Sequence, residues 1–306
     1  MPLLYSRMAT TTAMPVGPDV PLDDSQALHQ SVAFFALTLG ISWALWLPLA
    51  FQDTLGLAIP DELGILPIVI GGFGPAIAAV IMTWRGEGTV RALLKSVLDW
   101  RQHPKWYLVS LFLTPAMIPV GSALYAASGG VLDLSVLVQR LPMYPVQFVF
   151  VLFLGGGQEE LGWRGFALPR LQAAYGGTVA SLVIGVIWAV WHLPVFAIPA
   201  SSQYGQAFLP YAVGVLGFSV LLTWLFNGTG GSVLLAMLFH ASLNASSTLY
   251  PIPVDVLRSS GFPDIVMLGM ALATWVVALV VLSRDGRSLD PRRDAEITTT
   301  PRSGSF

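Results

Sequence analysis

The sequence predicts an all-α fold, a polytopic integral membrane helical bundle with about eight transmembrane helices. Three observations lead there. Of 306 residues, 55% are hydrophobic and 10% are charged, whereas an ordinary soluble domain carries about 25% charged residues. Apolar runs recur at close to the roughly 20 residues that a helix needs to cross the hydrocarbon core. Basic residues gather on alternate loops, as they do in membrane proteins with a fixed orientation.

The expected spans are residues 32–51, 64–84, 106–127, 144–168, 178–198, 207–226, 231–250 and 264–283. The fourth reaches full length only if its helix continues through Gly155, Gly156 and Gly157, so a seven-span arrangement stays open. Residues 1–30 mix prolines, threonines and acids without a basic stretch leading into a short apolar core. They read as a flexible cytoplasmic segment before an uncleaved anchor, not as a signal peptide. Residues 31–283 form the bundle. Residues 284–306, with Arg284, Arg287, Arg292 and Arg293 before a Thr/Pro/Ser/Gly stretch, read as a flexible cytoplasmic tail.

Orientation follows from the loops. Arg85, Arg91, Lys95, Arg101 and Lys105 follow the second span, Arg170 follows the fourth, and the opposite side holds Arg140 and Arg258. The positive-inside rule places both termini in the cytoplasm. Within residues 85–105, Val90, Leu93, Leu94, Val97 and Leu98 recur at helical spacing, which suits an amphipathic helix on the membrane surface.

Several chemistries lack their residues. There is no cysteine, so thiol nucleophiles and disulfides are out. No Gly-x-Ser-x-Gly elbow, no Gly-x-x-x-x-Gly-Lys-[Ser/Thr] loop and no His-Glu-x-x-His pair is present. Nothing indicates nucleic acid as a partner.

Three polar groups remain inside apolar helices, where a charge costs about 2.5 to 3.5 kcal/mol on insertion scales and needs a reason to be there. In "QEELGWRG", Glu160 and Arg164 stand at i and i+4 and share a helix face, whereas Glu159 points about 100° away without that partner. One carboxylate is therefore expected to be neutralised and the other left for chemistry. In "WAVWHLP", Trp188 and His192 share a face, and Pro194 should kink the helix beside the histidine. In "FHASLN", His240 and Asn244 again stand one turn apart. Taken singly, each group also fits a helix-end salt bridge, a packing histidine or interhelical glue. At ~1.5 Å per residue, Glu159 and His240 lie about 14 Å and His192 about 21 Å from the cytoplasmic helix ends, so a shared cavity open to the cytoplasm is feasible.

In this order on successive helices, Glu159-Glu160-x-x-x-Arg164, Trp188-x-x-x-His192 and His240-x-x-x-Asn244 resemble the CPBP family of intramembrane proteases. That family includes the type II CAAX prenyl endopeptidases and bacterial relatives linked to bacteriocin processing and self-immunity, also called Abi. The resemblance covers about residues 144–250, a catalytic core within the bundle. One departure is Trp188, where the family usually carries Phe, a change expected to reshape the pocket wall.

The resemblance implies an intramembrane endopeptidase. Glu159 would be the general base, with His192 holding the attacking water, His240 and Asn244 stabilising the oxyanion, and Glu160, Arg164 and Trp188 supporting the site. It favours no metal cofactor; if zinc is present, its ligands would be His192, His240 and Glu159. The substrate would be a membrane-associated peptide or protein, possibly prenylated and of CAAX type, reaching the cavity from the cytoplasmic side. The host membrane would be a bacterial plasma membrane. A transporter, or a catalytically inactive immunity or scaffold protein on the same fold, is the alternative.

Overall fold

A computed structural model describes residues 23–57, 59–86, 88–253, 256 and 264–290. Among the described residues every regular element is helical.

The first helix, α1 (Asp24–Ala50), starts seven residues before the expected boundary of a flexible segment. Asp23 explains the early start. Its carboxylate accepts from the Gln26 backbone N–H at 2.7 Å, and the Gln26 side chain accepts from the Asp23 N–H at 3.2 Å. This reciprocal cap satisfies donors that a helix start leaves free. The expected flexibility of residues 1–22 concerns residues outside those described.

The second span is made of two helices, α2 (Asp61–Gly71) and α3 (Gly74–Arg85). Pro67 and the Gly71–Gly72 pair interrupt the backbone ladder, and side chains from elsewhere take up the exposed carbonyls. Ser42 of α1 donates to the Gly71 carbonyl at 2.7 Å, and Gln158 donates to that of Gly72 at 3.3 Å. The break in one span thus anchors the segment that carries the two glutamates.

Between residues 85 and 105 the expected surface helix is short, α4 (Val90–Lys95) running into a 3-10 turn at Ser96–Leu98. Leu93 is buried, while Leu94 and Leu98 face outward. The third span bends by 48° between α5 (Pro104–Phe112) and a Pro115–Ala127 segment that ends in α6 (Ile118–Ala127). A short helix α7 (Leu134–Arg140) precedes α8 (Met143–Leu154).

The expected fourth span does break at the glycines. After α8, Gly156 adopts φ 140°, and the chain continues as a 3-10 turn (Gly157–Glu159), a short α9 (Glu160–Gly162) and a π-helical turn (Trp163–Ala167) before α10 (Leu168–Trp191). π-turns widen the helix locally and concentrate at functional sites. Gly176, with φ 78° and ψ 163°, interrupts α10. There the chain folds back, since Trp188 reaches Glu159 across the return. Arg170 accordingly lies within α10 rather than in an open loop, its guanidinium bonded to Gln30 and to the Phe166 carbonyl. Beside His192 the helix stops outright: α10 ends at Trp191, and Pro194 sits in a 3-10 turn, Leu193–Ala197.

The bundle closes with α11 (Phe208–Gly228), α12 (Val233–Ala245) and α13 (Asp264–Asp285). α12 is bound to the third span by Ser110 to the Leu235 carbonyl (3.1 Å), Ser242 to the Leu111 carbonyl (2.9 Å) and the Thr114–Ser242 hydroxyl pair (2.9 Å). The expected flexible tail is packed through its first residues: Leu289 is buried, Trp224 donates to Asp285 at 2.7 Å, and Asn227 donates to the Ser288 carbonyl at 3.0 Å. Residues 291–306 lie outside those described.

By length and composition, five helical stretches among the described residues qualify as spans, or six with the bent pair. Eight windows were expected. The difference is accounted for by Met143–Ala197, one apolar stretch holding the fourth and fifth windows, and by Val233–Leu249, a shorter apolar helix holding the seventh.

Candidate active site

Glu159, Trp188, His192, His240 and Asn244 line one cavity of about 550 Å³. Glu160 and Arg164 lie behind its wall, fully buried. The three sequence groups therefore meet, although they come from separate helical segments.

The buried side is an ion-pair network. Arg164 Nη1 donates to both oxygens of Glu160, at 3.1 Å and 2.9 Å, as the i, i+4 spacing predicts. Its Nη2 donates to Ser219 Oγ at 3.1 Å, and Ser219 donates onward to the Ser181 carbonyl at 2.7 Å. His240 joins the same network, its Nδ1 lying 2.7 Å from Glu160 Oε1. Ionised groups with no exposure are tolerable only when paired and hydrogen-bonded, and here the partners come from four helical elements.

Glu159 differs. No cation pairs with it among the described residues, yet it is held: its Oε2 accepts from the indole N–H of Trp163 at 3.2 Å and of Trp188 at 2.9 Å. The spacing argument left Glu159 unpartnered, and these indoles correct it. Trp163 follows Glu159 by four residues, so the same i, i+4 rule would have found it. Trp188 corrects the pocket-wall expectation further, because its indole supplies a donor that the family's usual Phe lacks.

His192 stands at the end of α10 with Nδ1 2.8 Å from the Trp188 carbonyl. A carbonyl only accepts, so Nδ1 carries the proton and Nε2 of the neutral ring is an acceptor. Its ring packs edge-on against Trp191 (4.6 Å between centroids) and Tyr211 (5.3 Å). Asn244 is exposed to the cavity and gives one amide N–H to the Gly155 carbonyl at 3.0 Å, leaving its second N–H available. Gly156 is the floor between these groups. A Cβ there would come within 2.5 Å of His240 Nε2 and 2.9 Å of Asn244 Nδ2, in a backbone conformation that already favours glycine.

Among the described residues, no three His, Asp or Glu side chains are grouped so as to hold one ion, His192, His240 and Glu159 included. Sequence reasoning also missed Gln158, whose side chain takes the Gly156 N–H at 3.0 Å and donates to Gly72. Ser219 was missed as well, because a hydroxyl in an apolar helix carries no signal until the guanidinium it faces is known.

The cavity lining comes from Ile65, Ile68 and Val69 of α2, Gln147 to Leu154 of α8, the first half of α11, the last turns of α12 and residues 200–203 with Gln206. α2 and α8 flank it without packing closely on each other, and Ile65, Phe150 and Leu154 of these helices are partly exposed.

Fold and site together define a polytopic helical membrane protein with a polar centre enclosed among its helices. Residues 141–246 match a family model described as type II CAAX prenyl endopeptidase Rce1-like. Over 116 residues the chain is 34% identical to the CAAX prenyl protease 2 of Methanococcus maripaludis, covering 36% of this chain and 43% of that relative. The match thus spans less than half of the relative's length. Both matches support the resemblance to the CPBP family.

Proposed function

We propose that the protein is an intramembrane endopeptidase of the CAAX type that hydrolyses a peptide bond of a membrane-associated peptide or protein. The observation that carries this is the state of Glu159: a buried carboxylate with no cation, one oxygen fixed by two indoles, facing the same cavity as His192, His240 and Asn244.

With Oε2 occupied, Oε1 of Glu159 and Nε2 of His192 are the acceptors that can hold a water. Glu159 takes one proton from it as the oxygen attacks the scissile carbonyl carbon. The carbonyl oxygen, now an oxyanion, receives the free N–H of Asn244 and, when the imidazole carries both protons, Nε2–H of His240. Glu160 keeps that ring oriented through Nδ1. As the C–N bond breaks, the proton on Glu159 passes to the leaving amine. One water is consumed, a carboxylic acid and an amine are released, and no covalent intermediate forms. Each oxyanion donor is worth about 2.7 to 4 kcal/mol in such a step.

None of these steps requires a metal, and we assign none. The apolar gap beside Ile65, Phe150 and Leu154 suits a substrate carried on a hydrocarbon chain.

The test uses purified protein in detergent, where both faces are reachable, with prenylated and unprenylated CAAX peptides and a panel of membrane peptides. Chelator-resistant cleavage with products separated at one bond is the expected result. Solute movement by the reconstituted protein without cleavage of any peptide would instead make it a transporter.

A further inference from the structure

We propose that Gln158 is a positioning residue: it clamps the peptide unit between Gly155 and Gly156, and that unit fixes the direction in which Asn244 presents its amide to the cavity. What Asn244 does with its free N–H rests on the hydrolase reading, whereas the clamp rests on hydrogen bonds alone.

The carbonyl of Gly155 and the N–H of Gly156 belong to one planar peptide group, so they point in opposite directions and turn together. A side chain holds each end. Asn244 Nδ2 donates to the carbonyl at 3.0 Å, and the N–H donates to Gln158 Oε1 at 3.0 Å. Fixing one end therefore fixes the other.

This unit needs holding. Gly155, Gly156 and Gly157 stand in succession, and glycine accepts either sign of φ at little steric cost, so local sterics do not choose between this orientation and one with the plane turned over. Gly156 already sits at φ 140°. Its carbonyl accepts from the Glu159 N–H at 3.0 Å, which restrains the following peptide unit rather than this one.

Of the two side chains, Gln158 is the better anchored. It is 8% exposed, whereas Asn244 is exposed. Its amide is engaged at both ends, since Nε2 also donates to the Gly72 carbonyl at 3.3 Å. An N–H only donates and a carbonyl only accepts, so the amide cannot be reversed without losing both bonds. Gly72 lies in the break between α2 and α3, and the orientation passes from there through Gln158 and the peptide unit to Asn244. Glu159 is held by Trp163 and Trp188 instead, so the influence of Gln158 on the reaction runs through Asn244. A glutamine that only satisfied a buried N–H would stabilise the fold without changing where Asn244 points.

The sequence has two asparagines, Asn227 and Asn244. In the full-length protein carrying isotope-labelled asparagine and purified in detergent, their side-chain amides give separate magnetic resonance signals, and Asn227, bonded to the Ser288 carbonyl, is the internal reference. Gln158→Met, which keeps the length and removes both bonds, should move the Asn244 amide signals and leave those of Asn227 in place. Gln158→Glu keeps an oxygen for the Gly156 N–H and should return the Asn244 signals more than halfway to wild type. Gln158→Ala takes the place of the methionine variant should that one not fold.

Turnover is the second readout. Gln158→Met should lower kcat by about 10-fold or more, part of the roughly 10²- to 10³-fold that one oxyanion donor supplies, with KM little changed. Introduced into Asn244→Ala it should cost less than about 2-fold, because residues that act through one another are not additive. Asn244 signals unmoved in Gln158→Met, or the full further loss of turnover in the Asn244→Ala background, would overturn the proposal. A wild-type protein that cleaves no peptide would end the hydrolase reading, and the amide signals would still decide the clamp.

Discussion

Glu159 and Glu160 are adjacent in sequence and equally hidden, yet they inhabit different surroundings. Glu160 is matched on both oxygens by Arg164 and on one by His240, with Ser219 completing the guanidinium's contacts. Glu159 has two indole donors on a single oxygen and the cavity in front of it. The comparison teaches that a membrane protein can bury two carboxylates together if one is neutralised structurally and the other is only oriented. Neutralisation gives a framework; orientation without neutralisation leaves the carboxylate that we propose as the base.

Substitutions can break this contrast, and their effects should fall in order. Arg164→Ala should be the most damaging to the fold, because it strands Glu160 without its main cation in a site with no exposure. Breaking one partner of a truly buried pair costs about 3 to 5 kcal/mol. Thermal unfolding in detergent should register it; a melting temperature equal to wild type would place the arginine outside the framework. Asn244→Ala comes next and acts on the other side of the contrast. It should lower kcat by about 10²- to 10³-fold, the usual loss for one oxyanion donor, with KM little changed and stability near wild type. A KM effect alone would make Asn244 a binding residue instead.

Trp188→Phe restores the aromatic that the family usually carries and removes the 2.9 Å donor to Glu159. A hydrogen bond to a charged group is worth about 1.5 to 3 kcal/mol, so turnover should fall while the protein stays folded. Unchanged turnover would mean that Trp163 alone orients the carboxylate. Ser219→Ala should be mildest, about 1 kcal/mol of stability, since Arg164 keeps Glu160. A loss as large as that of Arg164→Ala would show that the serine, not the carboxylate, governs the guanidinium.

Much of the site was legible because helical spacing is local. Glu160 with Arg164, Trp188 with His192 and His240 with Asn244 each follow from a four-residue interval, and their joint order carried the family resemblance. The same interval held Trp163, which was overlooked because tryptophan in an apolar helix reads as packing. The bond from His240 to Glu160 and the one from Arg164 to Ser219 join residues 80 and 55 positions apart, and no spacing rule reaches across helices. The span windows, the gap that holds Gly176 and the break beside Pro194 were legible, but not the 3-10 turn at Gly157–Glu159 or the π-helical turn at Trp163–Ala167, where backbone geometry rather than hydropathy decides.

The division of labour between the two glutamates is tested most directly by comparing Glu159→Gln with Glu160→Gln, each measured for peptide cleavage and for thermal unfolding in the same detergent. Both changes keep the side-chain shape and remove the charge. Glu159→Gln should unfold at or above the wild-type temperature and lose at least the roughly 10²- to 10⁴-fold that a positioned base contributes. Glu160→Gln should unfold at a lower temperature, because it leaves the buried Arg164 uncompensated. A folded Glu159→Gln protein that cleaves at the wild-type rate would contradict the account, whatever Glu160→Gln does.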